Sequence, residues 1–204
     1  MTKRPLTVPI VLKSDVLSST APFDLDSQLG VHLSWTPTLG RWWRNLAEEW
    51  HLTIPFRLHS EISAGARDTY VTQGGTPVAV DVVAEWAGVN VATNIDLPLP
   101  DSRRIELSGA LNVLEPADRT DGRRSRARVR PTFGRVDRIR MISVATGVPA
   151  DPPDGWVASQ YLPGTAREYE LRRSPVGVYT YPTAEGDEGD YREELLVVDL
   201  KCGE

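Results

Sequence analysis

The stretch that decides the fold reads Arg-Ile-Glu-Leu-Ser-Gly-Ala-Leu-Asn-Val-Leu at residues 104–114, and it is followed, after an arginine-rich connection, by a second apolar stretch at residues 133–144. In the first stretch apolar residues recur at every second position, so they fall on one face of a β-strand. Gly109 lies on that same face, where a missing side chain lets a strand coil or another backbone approach. Residues 104–114 are therefore predicted to be a curved strand.

The second stretch changes its apolar phase partway along. Gly134 and Val136 share one parity, whereas Ile139 and Met141 share the other. A one-residue change of phase is typical of a β-bulge, and bulges are common where sheets curl into barrels. We therefore predict that 104–114 and 133–144 pair as a bent antiparallel hairpin. The expected fold is mainly β, a small and mostly antiparallel barrel.

The composition favours this class. Among 204 residues there are 16 Gly and 16 Pro, which suit short strands joined by turns better than a helical bundle. The net charge of −5 gives the whole molecule no attraction to nucleic acid or anionic lipid, so such binding would need a local patch. Cys202 is the single cysteine, which excludes an internal disulfide and a cysteine-cage metal site. We expect a reduced, cytoplasmic protein without a membrane-spanning segment.

One amphipathic helix is predicted near residues 37–50, where four apolar residues recur at helical spacing behind Thr36 and Pro37. Residues 14–26 are expected to form a polar turn. The extended stretch 97–100 is a candidate boundary within a single domain of 1–204, between an N-terminal half, 1–97, and a barrel half, 98–204. Further strands are predicted at 6–12, 29–35, 69–72, 78–86, 89–95, 168–172, 176–181 and 194–201.

Two short patterns carry a resemblance. Leu-Ser-Gly-Ala-Leu at 107–111 and Phe-Gly-Arg-Val-Asp-Arg-Ile-Arg at 133–140 resemble the central hairpin of OB-type barrels. Trp156, Arg192-Glu193 and Leu-Val-Val-Asp-Leu at 196–200 are similar in order to an uncharacterised actinobacterial domain family of unknown function. The OB-type resemblance implies a ligand-binding surface on the barrel face, often for oligonucleotides. Neither resemblance implies a catalytic residue.

The connection between the two predicted strands is strongly basic. Nine arginines and three aspartates give residues 118–140 a local net charge of +6. The planar guanidinium suits paired contacts with phosphate or carboxylate groups. The arginines are Arg119, Arg123, Arg124, Arg126, Arg128, Arg130, Arg135, Arg138 and Arg140.

Three interpretations of this connection stay open. It could serve a non-catalytic binding module whose partner is an acidic protein. It could instead bind single-stranded nucleic acid, with aromatic rings nearby for stacking. It could also be neutralised by the protein's own acids, such as those at 185–190. The candidate binding residues are Arg123, Arg124, Arg126, Arg128, Arg130, Trp156 and Tyr161.

An enzyme acting on a small molecule is a further alternative. It would use a polar site near His51, His59 and Glu61, which include two of the chain's three histidines. His51 and His59 are eight residues apart across a proline, so no regular element sets them on one face. A solvated strand explains paired acids such as Asp81 and Glu85. We therefore predict no catalytic residue, metal or cofactor.

Overall fold

The structure, a computed structural model, is dominated by β-strands. It describes residues 5–35, 52–58, 69–71, 77–109, 111–113, 130–148, 160–183 and 191–203. The strands are β1 (Leu6–Leu12), β2 (Gln28–Val31), β3 (Leu33–Ser34), β4 (Leu52–Leu58), β5 (Thr69–Val71), β6 (Pro77–Trp86), β7 (Val89–Asp96), β8 (Arg104–Gly109), β9 (Leu111–Val113), β10 (Thr132–Gly147), β11 (Gln160–Tyr161), β12 (Arg167–Leu171), β13 (Thr180–Pro182) and β14 (Tyr191–Cys202). The β-rich class is confirmed.

These strands form a single mixed sheet in the order β11-β10-β14-β1-β9-β3-β7-β6-β4-β8. Off this path, β12 pairs with β10, β13 with β14, β2 with β10 and β5 with β6. Most pairs are antiparallel, but β1 with β9 and β3 with β7 are parallel. Within the described residues the sheet does not close, in contrast to the small OB-like barrel that we predicted.

The predicted central hairpin is wrong. Strand β8 pairs with β4, and β9 pairs with β1 and β3. Strand β10 instead pairs with β14, β12, β11 and β2. Alternation fixes which residues share a face of a strand, but it does not identify the neighbouring strand, and here both arms pair with other, sequence-distant strands instead of with each other.

The predicted bulge in the second arm is confirmed. Val136 lies opposite Leu200 and Arg138 opposite Asp199, so Asp137 is the extra residue in β10. Before the bulge, β10 approaches β14 closely: a Cβ placed on Gly134 would lie 3.0 Å from Cys202 Sγ. Only a residue without a side chain fits that contact without displacing β14.

Apolar residues are buried on both faces of the central strand β14. Leu196, Val198 and Leu200 belong to the larger core, with residues of β1, β7 and β10. Leu195 and Val197 belong to a smaller core on the opposite face, with Val144 and Tyr161 among others. Because both faces are covered, β14 is a nearly continuous apolar run rather than an alternating strand.

The β6–β7 hairpin, predicted from its alternation and Gly88, is confirmed. Both turn residues, Ala87 and Gly88, have positive φ, 52° and 86°, as a type I′ turn requires. The stretch 14–26 contains a helix, α1 (Ser14–Ser19), that we did not predict; it buries Val16 and Leu17. It is a helix of six residues whose N-cap, Lys13, makes no side-chain capping bond, so the usual sequence signal is missing.

Strands from both sides of residue 97 pair with one another, β1 with β14 and β4 with β8. The Leu97–Pro98 peptide bond is cis. The helix predicted near 37–50 lies outside the described residues. In the described part of the chain, no helix is long and apolar enough to cross a membrane.

Candidate binding surface

The candidate residues are divided between the described and the remaining parts of the chain. Arg130 is exposed just before β10, and Tyr161 lies in β11. His32 lies between β2 and β3. Outside the described residues lie Arg123, Arg124, Arg126, Arg128, Trp156, His51, His59 and Glu61.

The arginine-rich connection is anchored at both ends on one short stretch of sheet. Val113, the last residue of β9, lies opposite Leu33, and Thr132, the first residue of β10, lies opposite Val31. The Thr132 hydroxyl is buried; it accepts a 2.9 Å hydrogen bond from the Asn90 N–H and donates to the Asn90 carbonyl at 3.3 Å. The chain therefore leaves and returns at fixed, neighbouring points of the sheet.

Two arginines early in β10 form exposed ion pairs with the protein's own acids. Arg135 Nη1 lies 2.8 Å from Asp26 Oδ1. Arg138 donates from Nε to Glu170 Oε1 at 2.7 Å and from Nη2 to Glu168 Oε1 at 3.0 Å. Both glutamates come from β12, which pairs with β10. The positive charge of these two side chains is therefore balanced locally.

Arg140 is neutralised in a buried setting. Its side chain is only 1% exposed, and Nη2 lies 2.7 Å from Asp199 Oδ1 on β14. Glu168 Oε1 is 3.9 Å from Nη1. Burial raises the pKa of the Asp199 carboxyl, although the Arg140 guanidinium acts in the opposite direction. Desolvation thus exceeds the attraction of the cation for this carboxylate.

The other arginines of residues 118–140 lie within residues 118–130, called here the basic segment. It contains six arginines, two aspartates and no lysine, a net charge of +4 in thirteen residues. The interpretation in which the protein's own acids balance the charge is thus correct for Arg135, Arg138 and Arg140. Arg130 is the described member of the basic segment, and it is exposed.

Phe133 is an exposed aromatic residue that our sequence reasoning did not select. It is 66% exposed although it lies in a paired strand, three residues after Arg130. Its ring covers Gly30 on β2, because a Cβ placed on Gly30 would lie 2.6 Å from Phe133 Cε1. The sequence did contain a signal for this position. Gly134 faces the core, and neighbouring residues of a strand point to opposite faces, so Phe133 must point to the outer face of β10.

Tyr161 is buried, whereas a residue that contacts a partner should be exposed. It is 3% exposed and belongs to the smaller core with Ile142 and Val144. Burial raises the pKa of its hydroxyl, and the charge and hydrogen bond of Glu193 raise that pKa further. Its ring therefore offers no exposed stacking surface near the basic segment.

Arg192, at the other end of β14, is a second buried arginine. It is 4% exposed and donates from Nε to Ser143 Oγ at 3.0 Å. Its Nη2 donates to the carbonyl oxygens of Ser143 and Thr165 at 2.7 and 2.8 Å. The Tyr181 hydroxyl lies 3.0 Å from Ser143 Oγ. This side chain joins β14, β10 and the loop before β12, so its role here is structural.

In the part of the chain that is described, no three His, Cys, Asp or Glu residues are grouped to hold a metal ion. The resemblances to OB-type barrels and to an actinobacterial family stay predictions. No family model, curated protein or solved structure matches the chain.

Proposed function

We propose that the protein is a non-catalytic binding module that contacts an acidic partner through the basic segment. The observation that carries the proposal is the partition of charge around β10. Arg135, Arg138 and Arg140 are engaged by the protein's own carboxylates, whereas the basic segment keeps a net charge of +4 within a chain of −5. Such a local patch steers an acidic partner to one place on an anionic surface.

The anchoring of the segment supports the same proposal. The pairing of Val113 with Leu33 and the hydrogen bonds of Thr132 to Asn90 fix the chain on either side of the segment. A contact segment with fixed ends loses less conformational entropy on binding than one with free ends. The contact residues that we propose are Arg123, Arg124, Arg126, Arg128 and Arg130, with Trp156 as an additional aromatic contact.

We further propose a reducing, cytoplasmic environment. This part of the proposal is supported by the cysteine content: Cys202 is the one cysteine of the chain, so no internal disulfide can form. Cys202 is 1% exposed, and burial raises its pKa to about 11. A thiol with such a pKa stays protonated and poorly reactive at neutral pH.

The test is a fluorescence-anisotropy titration of the protein into labelled polyglutamate and labelled oligothymidylate at low salt. The triple variant Arg124→Glu, Arg126→Glu, Arg128→Glu should bind the preferred probe at least about tenfold more weakly, and the salt dependence of its binding should be smaller. The measured quantities are the Kd and the slope of log Kd against log salt.

The matched control is the triple variant Arg103→Glu, Arg104→Glu, Arg172→Glu. All three residues are exposed and lie outside the basic segment, and the change in net charge is the same. This control should keep nearly wild-type affinity. Equal losses in both triple variants, or no binding of either probe by the wild-type protein, would remove the proposed function.

A further inference from the structure

Phe133 presents an aromatic ring to solvent at the edge of the basic segment. Phe133 is 66% exposed, more than any other apolar residue of β10. Most apolar side chains of that strand, such as Val136 and Ile139, are buried. A large exposed apolar side chain is unremarkable by itself. Phe133, however, lies three residues after Arg130, next to a segment of net charge +4, and this position indicates a role in binding.

The ring is also held in a defined orientation. A Cβ on Gly30 would lie 2.6 Å from Phe133 Cε1 and 2.9 Å from Cδ1, so the ring is in close contact with the bare backbone of β2. Gly30 and Phe133 are directly opposite in the β2–β10 pair, and the neighbouring Thr132 is fixed by its bonds to Asn90. The ring is therefore supported on one side by main chain and open to solvent elsewhere.

We propose that Phe133 is a stacking platform for a nucleobase and that the acidic partner is single-stranded nucleic acid. The inference rests on the proposed function, since the basic segment supplies the contacts to phosphate. Nonspecific single-strand binding combines a cationic path for the backbone with an aromatic face for a base. An acidic polypeptide would use the same cations but would have no general use for a supported ring.

The composition of the basic segment agrees with this class of ligand. Its cations are all arginine, whose planar guanidinium both pairs with phosphate and stacks on bases, unlike the lysine ammonium. An unpaired base exposes both faces, whereas a duplex hides them within its stack. The proposal therefore specifies single strands rather than duplexes.

The test uses Phe133→Leu, which keeps apolar volume but removes the flat ring, together with Phe133→Trp, which keeps a ring. Binding is measured against fluorescein-labelled oligothymidylate and, by competition, against inorganic polyphosphate, which has no bases. Phe133→Leu should weaken binding of oligothymidylate between about 5- and 100-fold. Its binding of polyphosphate and its salt slope should stay at wild-type values, and Phe133→Trp should bind like the wild type.

Gly30→Ala provides a second variant that retains the ring. The new Cβ would collide with Phe133 Cε1, so the ring must move away from the β2 backbone. Binding of oligothymidylate should then weaken, whereas binding of polyphosphate should not change. Tyr179→Leu is the matched control: Tyr179 is 67% exposed and lies beside Glu194 of β14. Glu194 lies opposite Ser143, in the second half of β10, whereas Phe133 lies at the start of that strand. It should bind both probes like the wild type.

The outcomes separate this inference from the proposed function. If Phe133→Leu binds oligothymidylate as well as the wild type, or loses affinity equally for both probes, the platform is wrong while the arginine contacts stand. If the wild-type protein prefers polyglutamate to oligothymidylate, the nucleic-acid class is wrong and the acidic-partner proposal stands. If it binds no probe, both proposals fail.

Discussion

Arg140 and Arg192 are both buried, on the neighbouring strands β10 and β14, but they are stabilised in different ways. Arg140 is 1% exposed and pairs with the carboxylate of Asp199 at 2.7 Å. Arg192 is 4% exposed and donates its three hydrogen bonds to the Ser143 hydroxyl and the carbonyls of Ser143 and Thr165. No ion pair of Arg192 is found among the described residues.

The difference shows that a buried guanidinium does not need a counter-charge if enough oxygen dipoles surround it. A buried ion pair places two desolvated charges in the interior, and its attraction only partly repays that cost. When carbonyl oxygens accept the hydrogen bonds of the guanidinium, no second charge has to be buried. The main chain that carries those carbonyls must then keep its position. Arg140 therefore depends mainly on carboxylate side chains, Asp199 above all, whereas Arg192 depends largely on main-chain carbonyls.

Removal of the carboxylate beside Arg140 should give the largest effect. In Asp199→Ala the guanidinium stays buried without its closest acceptor, and we expect a loss of about 3 kcal/mol in the free energy of unfolding. Guanidinium chloride unfolding followed by tryptophan fluorescence measures this loss. A loss below about 1 kcal/mol would show that Asp199 is not the main counter-charge.

Removal of the second guanidinium should cost less. Arg192→Met keeps most of the aliphatic volume but removes the hydrogen bonds to two main-chain carbonyls, so we expect a loss of about 2 kcal/mol. Arg192→Lys should recover only part of it, because a single ammonium cannot reproduce the fork. If Arg192→Met costs as much as Asp199→Ala, the two sites do not differ as described.

The two sites should also respond differently to pH. Because the native pKa of Asp199 is raised above its ordinary value of 3.8, its protonated form is favoured by folding. That stabilisation is complete below about pH 4 and is lost as the pH rises through the native pKa. The stability of the wild type relative to Asp199→Asn should therefore fall as the pH rises above about 4, as followed by denaturant unfolding.

The stability of the wild type relative to Arg192→Met should be constant over the same pH range, since a guanidinium does not titrate there. If instead the stability of the wild type increases relative to that of Asp199→Asn as the pH rises, the attraction of Arg140 for the Asp199 carboxylate outweighs the cost of desolvating it. The native pKa of Asp199 would then be lowered.

The exposed pair beside Arg140 should give the smallest effect. Glu170→Gln removes one acid from Arg138, which keeps its 3.0 Å bond to Glu168. Solvent screens both groups, so the expected change is below about 0.5 kcal/mol. The free energy of unfolding, measured in low and in high salt, checks this prediction. A loss above about 1 kcal/mol would show that solvent exposure does not make the ion pairs of Arg138 weaker than that of Arg140.

Local features of the fold could be predicted from the sequence. The change of apolar parity between Val136 and Ile139 correctly indicated the bulge at Asp137, and Gly88 with the flanking alternation indicated the β6–β7 hairpin. Both depend on residues adjacent in the chain, whose spacing is fixed by backbone geometry. Strand β1 was predicted with its observed bounds for the same reason.

The partners of strands that are distant in the sequence could not be predicted. Ile105 and Leu107 face a core in many arrangements, and nothing in their spacing distinguishes β4 from β10 as the neighbour of β8. The same limit applies to the site. Local charge density identified the arginines, but only the position of Asp26, Glu168 and Asp199 in space showed which of them are neutralised.

The pairing of β1 with β14 has a consequence for how the chain is made. Leu6 lies opposite Cys202 and Leu12 opposite Leu196, so one edge of β1 stays unsatisfied until the ribosome has produced β14. At about 5–20 residues per second, this delay is roughly ten to thirty-five seconds. During that time a strand of seven largely apolar residues is open to other nascent chains, so chaperone supply should influence the yield of native protein.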